Sequence, residues 1–264
     1  MDYIEKINDY IKKLKKRESI NILIKNVTND TILYSYKEKD IFVSASIIKI
    51  PIMLAMLNQV MNKNVLLENE IEIDESDILY DNKCFKKGIY KYNVNDLITR
   101  MIIESDNSST NILIKYLGLD KINKYFKEIG LEDTKLERLM LDKCAIKKGK
   151  NNYTSLCDMY KRVKHIVNKD ILTDELCNLA LNILYKQQIN NQINKYIKNV
   201  KFAHKTGSLE YLNSDVGIFE LNKQIYFIGI SIYNTPRKNG DKKSVAKLSK
   251  IIYKYIDNRS NKTN

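Results

Sequence analysis

Residues 201–233 read KFAHKTGSLEYLNSDVGIFELNKQIYFIGISIY, and this stretch decides the fold class. It contains three runs rich in β-branched and aromatic residues, namely KFAHKT, SDVGIFEL and QIYFIGISIY, separated by short segments with polar residues. Such runs are typical of strands that follow one another through short turns. The pattern therefore predicts three consecutive strands near the carboxyl end of the chain.

A second strand region lies near the amino end of the chain. Residues 20–25 and 31–36 are β-branched runs on either side of the turn-prone sequence NVTND, which predicts an antiparallel hairpin. Before this hairpin, residues 4–14 repeat isoleucine and leucine along one face of a helix. The amino end thus contributes one helix and two strands.

The middle of the chain is predicted to be helical almost throughout. Amphipathic apolar spacing covers residues 94–104, 108–117, 121–129, 156–167 and 174–186, and a last helix is expected at 242–256. Gly118 and Gly130 follow two of these segments as C-terminal caps, and Ser155 and Thr173 precede two others as N-caps. Helix signals and strand signals therefore occupy separate parts of the sequence.

Strands at both ends and helices between them predict an α/β fold. We expect one antiparallel sheet built from both chain termini and flanked by helices, with an all-helical domain inserted into it. The sheet domain is then discontinuous, with residues 1–50 and 196–264, and the helical domain is residues 51–195. The seam between two such domains is a natural place for a ligand cleft.

The composition fits a globular protein with a sizeable core, since 44% of the residues are hydrophobic. Lysine and arginine number 45 against 32 acidic residues, a formal net charge of +13. The lysines are scattered rather than grouped with aromatic residues, so we interpret the charge as a solvated surface and predict no nucleic-acid partner. The four cysteines show no CxxC pair and no histidine at zinc spacing, so no metal or other cofactor is predicted.

Membrane and export signals are not visible in the sequence as written. The longest apolar stretch, residues 47–57, is too short to span a bilayer and is interpreted as a buried core helix. The first 18 residues lack the continuous apolar core and the cleavage site of a signal peptide. We expect a cytoplasmic monomer, or a secreted one if a leader was removed.

The first chemical motif is Ser46 with Lys49, at the start of this apolar stretch. Residues three apart share a helix face, so the serine hydroxyl and the lysine ammonium can meet. A lysine desolvated against an apolar helix loses its proton more easily and can act as the base that a serine nucleophile needs. The pattern alone is common, because Ser244 and Lys247 have the same spacing in the last helix, where we expect a surface position.

Two further polar motifs follow. Residues 105–107 read Ser-Asp-Asn at the break between two predicted helices, and residues 205–208 read Lys-Thr-Gly-Ser at the end of a predicted strand. Taken singly, each also fits an ordinary turn. The three motifs in this order, at a helix start, between helices and on a late strand, are much more specific than any one of them.

With these motifs the sequence resembles the class A β-lactamases and their relatives among the penicillin-binding proteins. The likeness extends through residues 46–55, 105–114, 152–159 and 204–218, and so covers nearly the whole chain. The resemblance implies a serine hydrolase that opens a β-lactam amide through an acyl-enzyme on Ser46. It also implies a β-lactamase/transpeptidase-like fold.

The resemblance implies a proton-transfer role for three residues around Ser46. Lys49 would accept the proton of the Ser46 hydroxyl, and Ser105 would relay a proton to the leaving nitrogen. Asn107 would hold both Lys49 and the side-chain amide of the substrate. These assignments make Ser46, Lys49 and Ser105 the expected catalytic residues.

Substrate binding falls to the strand motif. By the same resemblance, Lys205 and Thr206 would bind a carboxylate of the substrate, with Ser208 assisting, and the backbone N–H groups of Ser46 and Ser208 would form the oxyanion hole. The small-molecule substrate is accordingly an anionic acyl compound, either a β-lactam or a peptidoglycan-like acyl peptide.

One departure from the family pattern lies between residues 136 and 154. Class A enzymes carry an arginine there, followed two residues later by a glutamate that activates the deacylating water. Here Arg138 is followed by Leu139 and Met140. Glu137 and Asp142 are nearby but out of register, and we expect solvated charges at both positions. Acylation can survive this change, whereas turnover loses a general base that contributes about 10²–10⁴-fold.

The leading hypothesis is therefore a β-lactam hydrolase of the class A type. The alternatives are a penicillin-binding protein, an esterase-like hydrolase with another substrate, and a β-lactam receptor whose long-lived acyl-enzyme is the signal. A Ser-His-Asp triad is disfavoured because the chain has no G-x-S-x-G sequence and only two histidines, His165 and His204.

Overall fold

A computed structural model of the chain describes residues 3–14, 19–81, 85–86, 88, 90–233 and 242–260. The helices in these ranges are α1 (Tyr3–Leu14), α2 (Lys49–Met61), α3 (Val94–Ile103), α4 (Asn107–Leu117), α5 (Leu119–Glu128), α6 (Lys143–Lys147), α7 (Leu156–Asn168), α8 (Asp174–Tyr185) and α9 (Lys242–Ser260). The strands are β1 (Ser19–Asn26), β2 (Thr31–Tyr36), β3 (Phe42–Val43), β4 (Glu70–Glu72), β5 (Lys91–Asn93), β6 (Tyr153–Thr154), β7 (Phe202–Leu209), β8 (Leu212–Leu221) and β9 (Gln224–Tyr233). Two 3-10 turns, Ala45–Ile48 and Glu75–Asp77, complete the description.

The main sheet has five strands in the order β2-β1-β9-β8-β7, and each neighbouring pair is antiparallel. The amino-terminal strand β1 pairs with the carboxy-terminal strand β9 along its whole length, from Ser19 opposite Tyr233 to Asn26 opposite Tyr226. The two ends of the chain therefore meet inside one sheet. This confirms the predicted fold class.

Both faces of the sheet are covered, because successive side chains of a strand point to opposite faces. On one face, Ile22 and Ile230 pack with Ile7 of α1 and Ile252 of α9. On the other face, Leu23, Val216 and Phe227 pack against the helical layer. The central strands are therefore buried along most of their length, with both apolar residues and buried polar ones such as Asn213 and Asp215.

Helix α2 runs through the middle of the helical layer. Nine of its residues are buried, from Lys49 to Leu57, and the helix contacts α3, α4, α5, α7 and α8. A helix that is apolar on all sides is stable only when other elements surround it. The core around α2 continues into the inner face of the sheet. The domain boundaries expected from the sequence, residues 1–50 with 196–264 and residues 51–195, stay a prediction.

Several local predictions agree with the structure. Ser155 Oγ accepts a hydrogen bond from the backbone N–H of Asp158 at 3.2 Å, and Thr173 Oγ1 accepts one from Leu176 at 3.4 Å, so both residues are N-caps. Helix ends differ from the sequence pattern by a few residues. The last helix, for example, continues from the predicted residue 256 to Ser260.

Two predictions were wrong. The strand predicted from KFAHKT ends too early: β7 continues through the Lys-Thr-Gly-Ser motif, because pairing with β8 extends as far as Leu209 opposite Leu212. Ser244 is not on the surface: it is 3% exposed, because its side of α9 packs within the protein, while Lys247 is exposed.

No helix in the described ranges is long and apolar enough to cross a bilayer. Cys144, Cys157 and Cys177 are free thiols, respectively exposed, half-buried and buried. Cys84, the fourth cysteine of the sequence, lies outside the described residues. The thiols thus contribute no cross-link within the described ranges.

Candidate active site

Strand β7 lies directly beside the 3-10 turn that carries Ser46. A Cβ atom added to Gly207 would come within 3.1 Å of the carbonyl oxygen of Ser44 and within 3.2 Å of the Ala45 and Ile47 side chains. These distances are tighter than ordinary contacts, so only glycine lets the strand approach the turn this closely. Gly207 therefore brings the strand motif of the sequence next to the serine motif.

Ser46 is half-buried within this turn, one residue after a strained position. Ala45 has φ +45°, a left-handed conformation that an alanine adopts at a cost of about 1–3 kcal/mol. Turns of this kind persist where surrounding packing fixes them, and here Ser44 N donates to the carbonyl oxygen of Asn152 at 2.8 Å. The strain is thus stored next to the predicted nucleophile.

Lys49 is completely buried at the start of α2. Its Nζ donates to the Ser105 carbonyl oxygen at 2.7 Å, to Asn107 Oδ1 at 2.9 Å and to Ser105 Oγ at 3.3 Å. Ser46 lies in the 3-10 turn and Lys49 is the first residue of α2, three positions later. Lys49 thus joins the start of α2 to the Ser105–Asn107 segment.

Lys205 is the second fully buried lysine of the site. Its Nζ donates to Ser105 Oγ at 3.0 Å and to the Thr206 carbonyl oxygen at 2.9 Å. Burial, and then the positive charge of Lys49, hold the pKa of Lys205 well below its usual value, while buried Asp215 acts in the opposite direction. A positive charge on Lys49 therefore disfavours protonation of Lys205, whose Nζ bonds to the same Ser105 hydroxyl.

Ser105 connects the two lysines. Its Oγ accepts hydrogen bonds from both Lys49 and Lys205. A hydroxyl has two acceptor sites and one proton, so these two bonds leave the Ser105 proton available for a third group. The residue has φ +59°, a strained value that ends α3 and turns the chain toward the N-cap Asp106 of α4. Ser105 is therefore arranged to pass a proton.

Three of the predicted residues, Ser46, Asn107 and Ser208, line one cleft. Thr206 is not among the residues that line it and is only 3% exposed. Ser208 Oγ donates to Asn213 Oδ1 at 3.0 Å and accepts from Gln192 Nε2 at 3.3 Å. The Ser208 hydroxyl is thus already used within the protein.

Met140 lines this cleft with Ser46, and its position is fixed by Asn111. The Met140 backbone N–H donates to Asn111 Oδ1 at 2.7 Å, and Asn111 Nδ2 donates to the Met140 carbonyl oxygen at 3.1 Å. Leu141, Ile146 and Leu209 add further apolar surface to the cleft. The loop therefore places a methionine at the position where the family pattern has a glutamate.

The two nearby carboxylates are engaged elsewhere. Asp142 Oδ1 caps α6 by accepting from the Ala145 N–H at 2.9 Å, and Glu137 pairs with Lys135 at 2.5 Å. Neither is simply a solvated charge, as the sequence had suggested, because both are half-buried and have defined partners. Arg138 donates to Asn151 Oδ1, an amide oxygen, at 2.8 and 3.0 Å.

Sequence reasoning missed two residues of the site. Asn111 lies four residues after Asn107, one helical turn along α4, so its position facing the loop was visible in the spacing. Asp81 accepts a hydrogen bond from Asn107 Nδ2 at 2.7 Å, across 26 residues of sequence. No local pattern connects those positions, so only the fold brings Asp81 to the cleft.

The two histidines lie outside this hydrogen-bond network. His204 is buried in β7 and its Nδ1 is 2.9 Å from Asp215 Oδ1. His165 pairs with Asp170 near the end of α7. His204 lies within β7, as the predicted strand KFAHKT implies.

Comparison with known sequences gives one family. The family model described as the beta-lactamase enzyme family matches residues 3–256. The curated protein beta-lactamase VEB-1 of Pseudomonas aeruginosa is 24% identical over 265 residues, an alignment that covers 89% of this chain and 87% of VEB-1.

Comparison with solved structures agrees with the fold. A class A beta-lactamase from Bacteroides cellulosilyticus superimposes with a TM-score of 0.85 at 21% identity, covering 98% of this chain and 99% of its own. A mutant of PBP-A, described as an acyl-enzyme complex with penicillin G, has a TM-score of 0.84 at 24% identity, with 96% of each chain covered.

Proposed function

The chain belongs to the beta-lactamase enzyme family, a family of hydrolases of the serine β-lactamase type, and from this premise we propose that it forms a slowly hydrolysed acyl-enzyme on Ser46. The observation that carries the proposal is the contrast between Ser105, which joins two buried lysines, and Met140, which lines the same cleft as Ser46 and has no proton acceptor in its side chain. The substrate class we propose is a carboxylate-bearing β-lactam or a related acyl peptide.

Acylation begins with a proton transfer from Ser46. Neutral Lys49 keeps two N–H donors, enough for the Ser105 carbonyl and Asn107 Oδ1, and has a lone pair left for the Ser46 proton. Ser46 Oγ then bonds to the lactam carbonyl carbon, the carbon–nitrogen bond breaks, and the leaving nitrogen takes a proton from Ser105 Oγ. Ser105 regains a proton from the lysine side of the network.

Recognition of the substrate carboxylate is proposed for Lys205 and Thr206. Lys205 Nζ, which donates to Ser105 Oγ, carries a positive charge when it is protonated, and a substrate carboxylate placed beside it would support that protonated state. The oxyanion would lie between the backbone N–H groups of Ser46 and Ser208, where each donor is worth about 10²–10³ in rate. The close approach at Gly207 supports this pairing of strand and turn.

Hydrolysis of the ester on Ser46 needs a water and a base. Met140 cannot accept a proton, and Asp142 and Glu137 are held by α6 and Lys135. The ester is then long-lived, with Lys49 as the remaining base near it. A penicillin-binding protein or a β-lactam receptor is the second candidate function, favoured by the same observation, and differs only in what the long-lived ester serves.

Intact-protein mass spectrometry after exposure to benzylpenicillin tests the proposal. We expect a mass increase of one intact penicillin on the wild-type chain, persisting after free penicillin is removed, and peptide mapping that assigns it to Ser46. Ser46→Ala should show no adduct. The control Ser244→Ala, which removes the serine of the other Ser-x-x-Lys pair, should be acylated like wild type. A label on any other serine would overturn the assignment.

A further inference from the structure

Asn107 uses its side-chain amide in two directions. Its Oδ1 accepts from Lys49 Nζ at 2.9 Å, and its Nδ2 donates to Asp81 Oδ2 at 2.7 Å. An amide group has two N–H donors, so one of them stays available for a substrate. A substrate amide held by Asn107 would therefore lie beside the carboxylate of Asp81.

Asp81 differs from its neighbouring carboxylate Asp77. Asp77 forms an ion pair with Lys115 at 2.5 Å. In the described part of the chain, no lysine, arginine or histidine forms an ion pair with Asp81, which is exposed and follows Tyr80, itself 79% exposed. An ionised carboxylate accepts several hydrogen bonds, so the bond from Asn107 leaves acceptor capacity at Asp81.

The proposed site thus has charges of opposite sign at two different places. Lys205 offers a positive charge for the substrate carboxylate, and Asp81 offers a negative charge beside Asn107, where the acyl side chain of the substrate would lie. We propose that Asp81 is a specificity-determining residue that favours substrates with a protonated amino group in the acyl side chain. This inference rests on the proposed function and concerns the same cleft.

A purely structural role for Asp81 would be to orient Asn107. The variant Asp81→Asn separates the two roles, because its side-chain oxygen still accepts a hydrogen bond from Asn107 Nδ2 while the negative charge is lost. A positioning role predicts equal effects on all penicillins. A charge role predicts an effect only on the amino-bearing one.

The experiment compares ampicillin with benzylpenicillin, which differ by one α-amino group. Second-order acylation rates are measured at about pH 6, below the usual pKa of an α-amino group. We expect the ratio of the ampicillin rate to the benzylpenicillin rate to fall about fivefold in Asp81→Asn, the upper range for an exposed ion pair. The control Glu70→Gln, which removes an exposed carboxylate from β4, should keep the wild-type ratio.

A second measurement needs no variant. Raising the pH to about 9 deprotonates the ampicillin amine, so the wild-type ratio should fall toward the Asp81→Asn value. An unchanged ratio in Asp81→Asn, or equal losses for both penicillins, would overturn this inference and leave the proposed function standing. No adduct with either penicillin on folded wild-type protein would overturn both.

Discussion

The two sides of the chemistry around Ser46 are built differently. The Ser105 hydroxyl joins two fully buried lysines by hydrogen bonds of 3.3 and 3.0 Å, and Lys49 also donates to the Ser105 carbonyl oxygen at 2.7 Å. The loop that carries Met140 is equally well fixed, by two hydrogen bonds to Asn111, yet it presents a thioether and neighbouring apolar side chains. In the proposed reaction the first region would move protons, whereas the Met140 side chain of the second cannot accept one.

This difference separates the two halves of the proposed reaction. Forming the ester requires the lysines and Ser105, whereas hydrolysing it requires a base on the Met140 side. Because the Met140 backbone is held in place, the loss is chemical rather than a loss of loop structure. A single side chain should then be able to restore turnover.

Met140→Glu should have the largest effect. A carboxylate at this fixed backbone position would act as general base for the deacylating water and raise the deacylation rate by about 10²–10⁴-fold. The measurement is a chromogenic β-lactam assay: wild type should show a burst near one equivalent followed by a slow steady rate, and the variant should lose the burst.

Met140→Gln is the matched control for that variant, since it has the same length as glutamate but no proton acceptor of comparable basicity. It should retain the wild-type burst. Two results would contradict the proposal that Met140 occupies the position of the missing base: equal acceleration by Gln and Glu, or linear product release by the wild-type protein from its first turnover.

Lys205→Met tests the region in which Ser105 joins the two lysines. Losing a charge-assisted hydrogen bond of about 1.5–3 kcal/mol should slow acylation by carboxylate-bearing β-lactams roughly 10–100-fold, with much less effect on uncharged esters. Removing the buried ammonium also removes its desolvation cost, which raises the free energy of unfolding, while losing the hydrogen bonds to Ser105 and Thr206 lowers it. The exposed Lys201→Met serves as control and should change neither quantity; equal losses for charged and uncharged substrates would remove Lys205 from carboxylate recognition.

The lowered pKa of Lys205 gives this variant a pH signature. The folded protein releases the Lys205 proton at a lower pH than the unfolded chain, whose lysine keeps it up to about 10.5. Between these pKa values the unfolded state binds more protons, so this residue makes stability rise with pH while carboxylate recognition falls. In Lys205→Met this contribution to the pH dependence should be absent from the free energy of unfolding, measured by urea titration. It should also be absent from carboxylate recognition, measured by acylation assays over the same pH range.

Asp142→Asn should have the smallest effect. Asparagine is as good an N-cap as aspartate, so α6 should remain capped, and turnover should change by less than about twofold because Asp142 is not the base. Steady-state hydrolysis measures this directly. A tenfold slower steady rate with an unchanged burst would instead identify Asp142 as the group that activates the water.

Much of the fold could be predicted because it depends on local patterns. The runs at 214–221 and 224–233 coincide with the carboxyl portion of β8 and with all of β9, since β-branched and aromatic residues bounded by turn-prone segments favour strands. Ser155 and Thr173 were recognisable as caps because a cap interacts with residues only three positions away. The end of β7 was wrong because strand pairing, which extends it to Leu209, is set by the partner strand.

The sequence by itself determined the order along the chain of the main-sheet strands and the longer helices, the three polar motifs and the absence of glutamate two residues after Arg138, since all of these are properties of residue type and spacing. Only the tertiary structure decided that Lys49 and Lys205 share the Ser105 hydroxyl, that Asp142 caps a helix, and that Asp81 bonds to Asn107. Those contacts join residues whose side-chain directions depend on packing. The physical reason is that local propensity fixes backbone conformation over a few residues, whereas burial and long-range hydrogen bonds fix which groups meet.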